Sequence, residues 1–198
     1  YVHAQMGSGR ANRYHQTQVM ASLMGVELVE EDLIISPMLL PLGRKILISL
    51  EAFPNHYPAE LWLQVVSGLR AGGHSEITLL ATPFQEKLAH VLATRDPLLK
   101  VVIGNFTLDC LQAHFAESSL LISAPGQGVA LASLVGLRVL MMTGDLSMLW
   151  EMGPWSPGSR IISAPSFSEI NPESISNEVV SMVLGGAPVG PCWIKGEV

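Results

Sequence analysis

The feature that most constrains the fold is a repeated alternation of short apolar runs and amphipathic helical patterns from about residue 45 onward. The apolar runs lie at 45–50, 76–81, 98–103, 119–123 and 137–142, with a further candidate at 160–163. Strands that are apolar on both faces, each followed by a helix, indicate a parallel sheet covered on both sides. The sequence therefore predicts a Rossmann-like, doubly wound α/β domain with a parallel sheet of five to six strands.

Residues with known end preferences support these helix boundaries. Gly72 and Gly73 are expected to end the first helix, and Thr107 to cap the third. Asn171, Pro172 and Glu173 form a typical helix start. The second helix is predicted to begin near Phe84, with four apolar residues facing inward (Phe84, Leu88, Val91, Leu92). Cys110 is expected to be a core thiol on the third helix.

The chain divides into three parts by pattern. Residues 1–44 lack the alternation and are interpreted as an extension or an inter-domain connection. Residues 45–185 form the predicted Rossmann-like domain, and 186–198 a tail. No apolar run is long enough to span a bilayer, and no signal peptide is visible, so a cytoplasmic setting is expected. The two cysteines and six histidines show no metal-ligand spacing, so neither a metal nor another cofactor is expected.

The composition bears on possible partners. The 198 residues carry a formal charge of −6, and 14% of them are charged, against about 25% in an average soluble domain. A net negative charge argues against a nucleic-acid partner, which normally meets a basic surface. The low charge fraction indicates extensive buried surface, or surface covered by another domain or chain.

Ligands of open parallel sheets bind beyond the carboxyl ends of the strands. The turn after the fourth strand, residues 123–128, is the sharpest candidate at this edge. Ser123 ends the strand, and Gly126, Gln127 and Gly128 lead into a helix whose amides and dipole suit a phosphate or pyrophosphate. A purely structural turn is an equally good interpretation of the glycines.

Other candidates lie in neighbouring loops at the same edge. Thr143, Gly144 and Asp145 follow the fifth strand, where Asp145 would contact a sugar hydroxyl or else be a solvated cap. Glu51 follows the first strand, and His56 lies in the same loop. Glu86 is expected one helical turn into the second helix, pointing near the same cleft, where a solvated surface role is the simpler alternative. No catalytic residue is identified, because no nucleophile elbow, carboxylate pair or P-loop lysine is present.

The run from about Lys45 to Pro165 resembles the C-terminal half of glycosyltransferase family 9, the heptosyltransferase-like enzymes. The similar segments are Lys45–Leu50 with Tyr57-Pro58 and Leu61-Trp62, Gly104–Leu108, Ser119–Ser123, Leu131–Leu140 and Trp155–Pro157. The resemblance implies one Rossmann-like domain of a two-domain GT-B architecture and an inverting transfer from a nucleotide-sugar donor of ADP or UDP type. It also implies that an N-terminal domain or a partner chain supplies the acceptor side and the catalytic base.

The chain departs from the family at the donor loop, which typically reads Asp-Thr-Gly-x-x-His. Alignment places Pro125 at the Asp position and Ala130 at the His position. The basic residue that the family has beside its Trp-Pro segment is also missing, and Asn55 and His56 stand near that position. The sequence thus retains the backbone turn of the motif without its polar side chains.

Three functions remain open from the sequence. The first is the donor nucleotide-sugar-binding domain of a glycosyltransferase. The second is a degenerate, non-catalytic relative that serves as a scaffold or interaction module. The third is an unrelated Rossmann-type enzyme, for example an epimerase acting on sugar nucleotides, because a fold does not fix a function.

Overall fold

The computed structural model describes residues 23–25, 45–50, 57–144, 152–156 and 158–184, and the backbone of 193–195. Seven strands lie in these ranges: β1 (Ile46–Ser49), β2 (Ile77–Ala81), β3 (Lys100–Ile103), β4 (Leu120–Ser123), β5 (Arg138–Thr143), β6 (Arg160–Ser163) and β7 (Trp193–Lys195). The main helices are α1 (Ala59–Ala71), α2 (Glu86–Arg95), α3 (Leu108–Ala116), α4 (Gln127–Leu134) and α5 (Pro172–Leu184). Short 3-10 turns occupy Pro83–Gln85 and Phe167–Glu169.

All seven strands form one parallel sheet in the order β3-β2-β1-β4-β5-β6-β7. The predicted doubly wound α/β fold class is therefore confirmed. The sheet has one strand more than the five to six expected, because β7 pairs with β6 from within the segment interpreted as a tail.

Neighbouring residues along β1 belong alternately to two apolar clusters, one on each face of the sheet. Ile46 and Ile48 of β1 pack with buried residues of α1, α2 and α5 on one face. Leu47 packs with buried residues of α3 and α4 on the other. This alternation is the period of two expected for a strand. Because helices cover both faces of the sheet, all four residues of β1 are buried.

The predicted helix ends are present. The Thr107 hydroxyl accepts a hydrogen bond from the Cys110 N–H at 3.3 Å, and the Asn171 carboxamide oxygen accepts one from the Glu173 N–H at 2.9 Å. Gly73 follows α1 in the left-handed region, with φ of 89°, where a glycine is favoured. These caps fix where the chain enters and leaves the helices.

Two predictions about side chains were wrong. Phe84 lies in the 3-10 turn ahead of α2 and is 91% exposed, because the helix begins two residues later than its apolar spacing suggested. Cys110 is exposed rather than buried, because α3 packs through a narrow stripe that contains Leu111 and Phe115. None of the helices in the described ranges has both the length and the apolarity to cross a membrane.

Candidate functional site

The turn after β4 lies at the point where the strand order reverses. From β1 the chain builds outward through β2 and β3, then returns to place β4 on the other side of β1. The crevice beyond the carboxyl ends of β1 and β4 is therefore the topological switch point, where ligands of open α/β sheets bind. The residues predicted from sequence, Ser123 and 126–128, leave the sheet at this position.

The turn presents backbone amides rather than side chains. Gly126 precedes α4 without a side-chain cap, and the first helical hydrogen bond runs from the Ala130 N–H to the Gly126 carbonyl at 3.3 Å. The amides of Gln127, Gly128 and Val129 accordingly have no acceptor within the helix. Ser123 is buried, and its hydroxyl donates to the Ala124 carbonyl at 3.0 Å, so it supports the turn from beneath.

The two glycines differ from the sequence expectation. Gly126 has φ of 166° and ψ of −170°, an extended backbone that other residues adopt, and Gly128 lies inside the first turn of α4. A Cβ built on Gly128 would meet only the Ser123 hydroxyl oxygen, at 3.9 Å. The turn therefore does not require glycine for its backbone shape. Gln127 is exposed, whereas Gly128 and Val129 are buried.

The electrostatics of this helix end favour an anion. The first turn of α4 contains no acidic residue, and Gln127, its first residue, is exposed. Unpaired amides and the partial positive charge of a helix N-terminus together attract phosphate groups. The side chains at the positions of the family motif add nothing polar, since Pro125 and Ala130 carry no hydrogen-bonding group.

The residues after β5 have a packing role. A Cβ on Gly144 would lie 3.1 Å from the Phe167 amide nitrogen and 3.3 Å from Phe167 Cδ2, so the glycine allows the 3-10 turn at Phe167–Glu169 to approach closely. Thr143 is buried, and its carbonyl accepts from the Ala164 N–H at 3.2 Å. Asp145 lies outside the described residues.

The candidates on the β1 and β2 side contribute less. Glu86 is exposed at the start of α2, and its carboxylate lies 3.4 Å from His90 Nε2 one turn along the same helix. Glu51 and His56 lie outside the described residues. The structure thus brings Ser123, Gly126, Gln127 and Gly128 together at the switch point, with Thr143 and Gly144 at the end of the adjacent strand.

The loop Thr82–Glu86 was expected at this edge, but the exposure of Phe84 within it was not. Phe84 follows β2, next to β1, and is exposed at the carboxyl end of the sheet. The signal for the start of its 3-10 turn was present in Thr82-Pro83, because Thr is a favoured N-cap and Pro a favoured first position of a helical turn. Within the described ranges no group of three or more His, Cys, Asp or Glu could hold a metal ion.

A cleft of about 730 Å³ lies elsewhere, between the end of β6 and α5. Its charged lining consists of two carboxylates, Glu169 and Glu178, and Asn171 and Asn177 add neutral polar groups. A lining with two acids and no Lys or Arg is unfavourable for a phosphate group. This cleft is also two strands away from β4, so the switch-point turn is the better anion site.

Comparison with solved structures identifies the class of fold. The chain superposes on E. coli heptosyltransferase WaaC with ADP at a TM-score of 0.60 and 17% identity, covering 71% of this chain and 44% of that one. E. coli ADP-heptose lipopolysaccharide heptosyltransferase II gives a TM-score of 0.60 at 12% identity, covering 86% and 51%. The family 9 glycosyltransferase from Veillonella parvula gives 0.59 at 16% identity, covering 93% and 58%.

These comparisons confirm the glycosyltransferase-like fold that the sequence resemblance implied. At 17% identity or less they establish the fold alone, and the chain spans about half the length of each enzyme. No protein-family model matches the sequence, and no curated protein matches it.

Proposed function

We propose that this chain is the donor nucleotide-sugar-binding half of a GT-B glycosyltransferase, with an ADP-type donor. The observation that carries the proposal is the uncapped, acid-free N-terminus of α4 at the switch point between β1 and β4. A diphosphate there would accept hydrogen bonds from the amides of residues 127–129 and gain from the helix dipole. The similar E. coli enzyme solved with ADP supports a nucleotide diphosphate as the ligand class.

Sugar transfer needs groups that the described turn does not supply. Its contacts to a donor would come from the backbone, because Pro125 and Ala130 carry no hydrogen-bonding side chain. In this proposal an N-terminal domain or a partner chain binds the acceptor and provides the base that activates it. The chain described here binds and orients the donor.

The apolar Pro125 and Ala130 also support a second candidate, a non-catalytic relative in which the site no longer turns over a donor. The two candidates have the same fold, but only the first takes part in transferring a sugar from the donor. Transfer from a radiolabelled nucleotide sugar by the chain together with its completing domain distinguishes them. Binding without transfer would identify the scaffold.

Thermal unfolding with nucleotides tests the donor site directly. ADP, UDP and GDP, with inorganic pyrophosphate alongside, are titrated while the melting temperature is recorded. Ligand at 100 times its Kd stabilises the folded chain by about 2.7 kcal/mol, so an appreciable rise is expected with ADP. No rise with any of these compounds at millimolar concentration would overturn the proposal.

A further inference from the structure

Phe84 is an aromatic ring that the fold leaves uncovered. It is 91% exposed in the 3-10 turn after β2. Two other aromatic residues of the described carboxyl edge are engaged: Tyr57 is buried edge-on against Trp62, with ring centroids 5.0 Å apart, and Phe106 contacts His114 at 6.3 Å. Phe84 is thus an exposed aromatic ring at the same edge of the sheet as the α4 turn.

The turn that carries Phe84 is held in a fixed conformation. Thr82 and Gln85 form a capping box, in which the Gln85 carboxamide oxygen accepts from the Thr82 N–H at 3.1 Å and from the Thr82 hydroxyl. Pro83 fixes a backbone φ between them. The ring is therefore presented by a preformed turn, and ordering it on a ligand would require little loss of backbone entropy.

The strands that lead into the Phe84 turn and the α4 turn end at nearly the same height. Ile48 of β1 is in register with Leu79 of β2 on one side and with Ile122 of β4 on the other. The carboxyl ends of β2 and β4 are accordingly at the same height and two strand spacings apart, roughly 10 Å. A nucleoside diphosphate whose phosphates bind at the β4 turn can extend its base toward the β2 turn.

We propose that Phe84 is the platform on which the nucleobase of the donor stacks. The inference rests on the proposed function, because it takes the phosphate position from the α4 amides. Stacking uses the π-face that every base has, so Phe84 contributes affinity for a nucleotide without selecting among bases. It contributes nothing to a ligand that has phosphates and no base.

The test compares ADP with pyrophosphate by isothermal titration calorimetry. Phe84→Ala is expected to weaken ADP and GDP binding by roughly 5- to 150-fold, the range for loss of one base–aromatic stack, and to leave pyrophosphate binding unchanged. Phe84→Trp is expected to retain ADP affinity. Leu98→Ala is the matched control, because Leu98 is 76% exposed and precedes β3 at the opposite edge of the sheet.

The outcomes separate this inference from the proposed function. Wild-type protein that binds neither ADP nor pyrophosphate contradicts the donor site itself. If the wild type binds ADP and Phe84→Ala binds it with the same affinity, the stacking platform is overturned and the donor site is not. The same holds if Phe84→Ala loses affinity for ADP and pyrophosphate equally. Because Phe84 is exposed, the melting temperature of the unliganded variant is expected to match that of the wild type.

Discussion

Gly68 of α1 lies directly against Ser176 of α5, so closely that a Cβ built on the glycine would be 2.3 Å from the serine hydroxyl oxygen and 2.8 Å from its Cβ. The Ser176 hydroxyl bonds to the carbonyls of Pro172, at 3.1 Å, and Val65, at 3.3 Å. One turn further, Gly72 faces Val180 in the same way, with a distance of 2.5 Å to Cγ2. Small residues therefore set how closely α1 and α5 pack over one face of the sheet.

Gly68→Ala is expected to destabilise the fold. The added methyl forces the two helices apart at about 1–3 kcal/mol, while the gain in helix propensity offsets about 1 kcal/mol. A net loss of about 1 kcal/mol, within a range of about 0–2 kcal/mol, should appear in urea unfolding. Gly104→Ala is the control, since a Cβ there meets nothing within 4 Å. A Gly68→Ala protein about 1 kcal/mol more stable than the wild type, the full gain in helix propensity, would contradict the close packing.

Ser159→Ala tests a buried serine pair beside β5. The Val139 N–H donates to the Ser159 hydroxyl at 2.9 Å, Ser159 bonds Ser156 at 2.7 Å, and Ser156 donates to the Leu137 carbonyl at 2.6 Å. β6 pairs with β5 only from Leu140 onward. The two hydroxyls therefore bond the backbone groups of Leu137 and Val139 that lie before this pairing. Leaving the buried Val139 amide without a partner is expected to cost about 1–3 kcal/mol.

The control for this change is Ser67→Ala on the exposed surface of α1. A surface substitution of this kind normally alters the free energy of unfolding by about 0.5 kcal/mol or less. If Ser159→Ala and Ser67→Ala unfold at the same urea concentration, the hydroxyl pair does not support β5.

His114→Gln is expected to flatten the loss of stability at acid pH. Burial lowers the pKa of His114, as does nearby Lys45 and to a lesser extent Lys100, while Glu117 opposes them. The folded chain thus binds a proton at His114 less readily than the unfolded chain does. The stability from the neutral imidazole is present above the ordinary pKa of about 6.5 and is lost as pH falls through it toward the folded value. Urea midpoints measured from pH 7.5 to pH 5 should fall less in the variant than in the wild type, and parallel curves would contradict this assignment.

Local signals in the sequence predicted much of the fold. β1 and β4 were identified from apolar runs, and the caps at Thr107 and Asn171 from short-range chemistry that depends only on nearby residues. The parallel sheet followed from their alternation. β7 was missed because a three-residue strand, Trp193–Lys195, has too few positions to show a period.

Features that depend on distant contacts were not predictable in this way. The close approach of Gly144 to Phe167 is one such feature, because it depends on how the chain returns after β6. The apolar spacing of residues 84–92 suggested that Phe84 is buried on the inner face of α2. The capping box of Thr82 and Gln85 instead forms a 3-10 turn, and Phe84 lies in this turn, ahead of the helix. The turn at 123–128 was identified correctly as an edge turn, whereas its position at the switch point required the strand order.

Gln127→Glu gives the sharpest test of the α4 amides as an anion site. Gln127 is the first residue of α4 and is exposed, so the isosteric change adds a charge without changing volume. A carboxylate in the first turn of a helix normally stabilises it by about 0.3–1 kcal/mol, so the unliganded protein should melt at the same temperature or higher.

The same carboxylate would repel a bound diphosphate and compete with it for the amides. The affinity for ADP and for pyrophosphate, measured by calorimetry, is expected to fall about tenfold or more. Gln112→Glu, an equivalent charge change at an exposed position of α3, should leave both affinities close to wild type. If Gln127→Glu and Gln112→Glu weaken ADP equally, the effect comes from net charge and the phosphates bind elsewhere. If only Gln127→Glu weakens ADP and pyrophosphate binding, and its unliganded melting temperature is unchanged, the phosphates bind at the α4 amides. The helix itself tolerates the new charge, so the lost affinity comes from repulsion between that charge and a ligand at this helix end.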